Sequence, residues 1–76
     1  MHRTLQERNA ERDRALVIAR LVVENADNST SSRLRALEFI AEHATDARTF
    51  IGRFTDDGLS SVRLKAQRLL KKQRGQ

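Results

Sequence analysis

Cysteine, proline, tryptophan and tyrosine are all missing from this 76-residue chain, and glycine and phenylalanine occur only three times each. Without cysteine there is no disulfide framework, no thiol nucleophile and no cysteine-based zinc site, so a reducing, cytoplasmic setting is expected. Without tryptophan or tyrosine, the rings on which unpaired bases stack are scarce. Without proline, nothing in the chain breaks a helix from within. Long apolar runs are missing too: the longest is Ala15 to Ala19, far short of the roughly 20 residues that span a bilayer. Met1-His2-Arg3-Thr4 opens no apolar segment with a small-residue cleavage pattern behind it, so neither a secretory leader nor a membrane is expected.

What is present is apolar enough to fold, at 38% hydrophobic residues against 33% charged, and the length allows one small domain, residues 1–76, with a marginal core. The net charge of +5 is unevenly spread. Residues 1–24 carry five arginines and four acids, residues 25–57 four arginines and six acids, and residues 58–76 six bases and no acid. An anionic partner is therefore expected to meet the C-terminal quarter.

Apolar residues recur at three- and four-residue steps, which predicts an all-α fold, a compact bundle of about four helices. Thr4 and Glu7 have the spacing of a capping box and open a first helix to about Glu24. The β-branched run through Val17, Ile18, Val22 and Val23 is compatible with a buried strand, but its length and the cap favour helix. The main stripe of this helix is read as Ala15, Ile18, Ala19, Val22 and Val23, with residues 1–14 a polar helical extension projecting beyond the core. Asn25 to Ser32 reads as a loop, with Thr30, Ser31 or Ser32 capping a second helix to about Ala44 along the stripe Leu34, Leu37, Ile40, Ala41 and Ala44. Thr45 or Asp46 caps a short third helix carrying Ala47, Phe50, Ile51 and Phe54. After the turn Thr55-Asp56-Asp57-Gly58, a fourth helix runs from about Ser60 to Gln73, with residues 73–76 a frayed tail.

At an offset of thirty residues the chain matches itself: Asp27, Ser31, Arg33, Leu34 and Ala36 recur as Asp57, Ser61, Arg63, Leu64 and Ala66. The second unit, with Phe50-Ile51-Gly52-Arg53-Phe54, then Asp56-Asp57, then Val62-Arg63, Ala66 and Leu70, resembles a HEAT-type α-α repeat. The resemblance covers about residues 15–72, and departs from the family pattern in the first unit, where Ser32 stands in place of Val62 and the turn is longer. It implies two stacked α-hairpins and a binding role. Stacked arrays need three or more units to cover their apolar faces, so self-association is expected.

No catalytic constellation is found, and the chain is read as a non-enzyme without cofactor or metal. His43 has only Glu42 and Asp46 near it in sequence, short of a zinc site, and is expected at a helix end. Asp56-Asp57-Gly58 lacks the further ligands of a calcium loop, and the serines are explained by caps.

The functional signal is the fourth helix. Leu59, Val62, Ala66, Leu69 and Leu70 form one arc, and Lys65, Arg68, Lys71 and Lys72 the opposite one. With Arg63 and Arg74 these cations form the expected nucleic-acid-binding site, a patch that no acid is expected to dilute, and contact with the backbone of duplex DNA is the favoured reading. A helix-turn-helix with the fourth helix as recognition helix fits less well, since Arg53 and Asp57 stand where apolar residues belong. A membrane-surface anchor lacks the bulky aromatic face it needs. The rival is a protein-interaction or oligomerisation module, in which the basic end solubilises the chain or meets an acidic protein. Val17 and Leu21, one turn apart and off the main stripe, are the expected homodimer interface; the competing reading buries the first helix on two sides within one chain.

Overall fold

The computed structural model describes residues 4–74, and the side chains of all of these except Leu5, Gln73 and Arg74. Among the described residues there are four helices and no strand: α1 (Leu5–Glu24), α2 (Thr30–His43), α3 (Ala47–Gly52) and α4 (Ser60–Arg74). His2, Arg3, Gly75 and the side chain of Arg74 lie outside them.

The helix starts are set by short polar side chains. Thr4 caps α1, its Oγ1 accepting from the Glu7 N–H at 3.2 Å. The cap of α2 is Ser29, one residue before the three expected; its backbone is extended and its Oγ accepts from the Ser32 N–H at 3.2 Å. Ser32 is drawn into the first turn, where its own Oγ accepts from the Ser29 hydroxyl at 2.8 Å. Asp46 holds the N-cap position of α3 but makes no capping bond with its side chain. That carboxylate instead accepts from Arg20 of α1 at 2.6 Å.

The core combines Leu16, Ala19 and Val23 of α1, Ala36, Leu37 and Ile40 of α2, Ala47, Phe50 and Ile51 of α3 with Phe54 just beyond it, and Val62, Ala66 and Leu69 of α4. The backbone of α2 alone lies against all three other helices, whereas that of α1 lies against α2 only and reaches α3 through side chains. The described part of the fold is thin, 43 × 31 × 17 Å, so one layer of core has to serve every helix. This corrects the expected stripe of α1. Leu16, Ala19 and Val23, at steps of three and four, are buried, while Ile18 is 62% exposed, because a helix with one neighbour buries only one narrow strip. Residues 6–14 are exposed apart from the half-buried Asn9.

Arg33 is the one charged residue among the described residues that is buried. Its Nε donates to the Val23 carbonyl in the last turn of α1 at 2.9 Å, and its Nη2 to Asp57 Oδ2 at 3.1 Å. Asp57 in turn accepts the Leu59 N–H on Oδ1 at 2.9 Å, and its carbonyl accepts from Arg63 at 3.0 Å. Two residues thus tie the end of α1, the start of α2 and the turn before α4 together. The two matched units differ at this point: Arg63 reaches back to Asp57 within its own unit, while Arg33 reaches forward to the second unit's aspartate.

The Leu59 N–H, and after it the Arg33 guanidinium, hold the Asp57 carboxyl below its ordinary value, against burial acting the other way. A carboxylate whose folded-state pKa is depressed stabilises the fold above the unfolded value near 3.9 and loses that contribution as pH falls through the folded value. Urea midpoints are therefore expected to drop below about pH 4, and Asp57→Asn to flatten that acid limb.

Candidate nucleic-acid interface

α4 turns Val62, Ala66 and Leu69 into the core, with Leu70 half-buried beside them. Its other side carries the cations, and their surroundings separate them into two groups. Arg68, Lys71 and Lys72 are exposed, and make no hydrogen bond or ion pair within the described residues. Arg63 and Lys65 are half-buried and engaged. Arg63 holds the Asp57 carbonyl, and Lys65, with its side chain only 20% exposed, pairs with Glu38 of α2. The hydrogen bond and the charge of Lys65 hold the Glu38 carboxyl below its ordinary value, with smaller contributions from Lys72 and Arg35. The expectation that no acid dilutes the basic face is thereby corrected: α2 lies against α4 and supplies one. Arg74 closes α4, and its side chain is outside the described residues.

An open groove of about 970 Å³ runs between the end of α2, the start of α3 and α4. Its acids are Glu38, Glu42 and Asp46 and its bases Arg48, Lys65, Arg68 and Lys72. Two of the acids are ion-paired within the chain, Glu38 with Lys65 and Asp46 with Arg20 at 2.6 Å, while Glu42 lies 3.6 Å from His43, a contact that pairs charges only when the imidazole is protonated. Arg48, Arg68 and Lys72 against Glu42 leave the groove with an excess of positive charge, with Lys71 beside it on α4. Arg48 is absent from the expected site because α3 is placed beside α4 by packing, and nothing in the local sequence around Arg48 announces that.

His43 lies in the last turn of α2, 40% exposed at its side chain, its ring centroid 4.5 Å from that of Phe39. Among the described residues no group of three histidine, aspartate or glutamate side chains converges to hold a metal ion, and no helix is long and apolar enough to cross a membrane. The connection from α3 to α4 runs from Arg53 to Leu59, longer than the three- to four-residue turn of a helix-turn-helix. The free cations of α4 also sit in its C-terminal half rather than at the N-terminal end that a recognition helix presents to bases. Val17 and Leu21 are 58% and 62% exposed, so α1 is not buried on two sides within the chain.

No protein-family model, no curated protein and no solved structure matches this chain.

Proposed function

We propose that this protein is a non-enzymatic binder of the sugar-phosphate backbone of duplex DNA, with a regulatory or structural role. Arg68, Lys71 and Lys72 make the contact, Arg48 flanks it, and Arg63 and Lys65 shape the surface. The observation that carries the reading is a run of three exposed cations, Arg68, Lys71 and Lys72, that make no hydrogen bond or ion pair within the described residues, beside a Glu38 already held by Lys65. Such cations replace the counterions condensed on DNA, and the release of those counterions supplies affinity without reading sequence. Binding by stacked bases has less support: Phe50 and Phe54 are buried, and the half-buried Phe39 packs on His43.

Fluorescence anisotropy with a labelled mixed-sequence duplex at 50 mM salt tests this. A dissociation constant on the order of 1–100 µM is expected, the range of non-specific contact. No binding at that salt, or equal binding to polyglutamate chains, would remove DNA as the partner; equal affinity for the acidic polymer would point instead to an acidic protein. The exposed apolar residues of α1 favour a second, compatible activity, self-association.

A further inference from the structure

Val17, Ile18 and Leu21 are 58%, 62% and 62% exposed, on the side of α1 opposite the Leu16–Ala19–Val23 strip that meets α2. They continue into a longer pattern. Glu7, Ala10, Arg14, Val17, Leu21 and Glu24 recur at alternating three- and four-residue steps, the spacing of a two-helix seam. The seam is apolar at its centre and charged at its flanks, with Arg14 one turn before Val17 and Glu24 one turn after Leu21.

We propose that this face of α1 pairs antiparallel with the same face of a second copy, Val17 lying against the partner's Leu21 and Arg14 against the partner's Glu24. Charge decides the direction. A parallel pair sets Arg14 against Arg14 and Glu24 against Glu24, whereas the antiparallel pair sets two opposite charges together on each side of the two-fold axis. Glu24 already accepts from Arg53 at 3.1 Å, and a carboxylate with two oxygens accepts from a second guanidinium as well. Arg14 has no partner within the described residues. A two-fold pair is self-complementary and closes on itself, so it ends at two copies.

Area sets the strength of the pair. Three partly exposed side chains fall well short of the roughly 800 Å² per partner of a stable interface, so the two copies hold each other weakly. The pairing does not depend on the DNA reading and is tested without nucleic acid.

Sedimentation of the wild type at about 100 µM is expected to show a dimer, since an interface this small gives affinities in the micromolar range. Val17→Glu with Leu21→Glu is expected to give a folded monomer with unchanged helical circular dichroism. A wild-type monomer at that concentration, or a dimer that survives the double substitution, overturns the proposal. Direction is read from cross-linking, because the chain has no native cysteine to interfere. Val17→Cys mixed with Leu21→Cys is expected to form the mixed disulfide at least tenfold faster than either variant alone forms its own. Faster bonding within each variant alone overturns the antiparallel register.

Discussion

Replacing Arg33 by alanine is expected to cost about 3–5 kcal/mol of folding stability, the range for removing one partner of a buried ion pair. The guanidinium is 3% exposed at its side chain and Asp57 17%, so water does not readily take its place. The loss leaves the Val23 carbonyl at the end of α1 and one oxygen of Asp57 without their donor, and it opens a cavity among α1, α2 and the α3–α4 turn. In a domain of this size a loss of 1 kcal/mol lowers Tm by roughly 4–8 °C, so a fall of about 12 °C or more is expected by circular dichroism. Arg33→Lys should recover little, because one ammonium on a flexible stem does not reproduce a planar fork spanning two acceptors. A Tm within about 3 °C of wild type for Arg33→Ala would show that the bridge contributes nothing net.

Phe50→Ala should be comparably severe, at about 3–5 kcal/mol for a buried phenylalanine. The Phe50 ring is the point where α1 and α3 are joined, for their backbones do not pack against each other. The Arg20 guanidinium lies 5.6 Å from its centroid and that of Arg53 5.3 Å. Each arginine also reaches an acid on the other element, Arg20 to Asp46 and Arg53 to Glu24. Removing the ring takes away the surface that orients both, along with its contact to Phe54 at 5.2 Å between centroids. Phe50→Leu keeps most of the volume and loses the cation–π attraction, about 0.5–1 kcal/mol at each exposed site, so its Tm should fall between wild type and Phe50→Ala. If Phe50→Leu matches wild type, the arginines add no stability through the ring.

Helix periods and ends were the legible part of this fold. Thr4 with Glu7 marks the start of α1, and Val62, Ala66 and Leu69 mark the inner face of α4 at three- and four-residue spacing. What depended on neighbours was not legible. Ile18 is as apolar as Leu16, and only the placement of α2 decides which of them is buried. Arg33 sits three and four residues before Ala36 and Leu37, on the buried strip of α2. A charge at that position reads as an interruption until Asp57, twenty-four residues on, is brought against it. Lys65 was indistinguishable from Arg68 in sequence, since Glu38 belongs to another helix. The same limit hid Arg48, which joins the groove through the packing of α3.

The proposed DNA contact is made by three cations of α4 rather than by net charge. It is tested most directly by the slope of log binding constant against log salt concentration, for wild type and for Arg68→Gln/Lys71→Gln/Lys72→Gln. Each phosphate contact adds about 0.9 to that slope. The triple variant is therefore expected to flatten it by about 2.7 per bound protomer, with little change in Tm. Replacing Arg3, Arg8 and Arg12 by glutamine removes the same charge from a segment in which acids alternate with the bases, and should flatten the slope far less. Equal flattening by the two sets of substitutions, or a slope that the α4 variant leaves unchanged, would contradict the assignment.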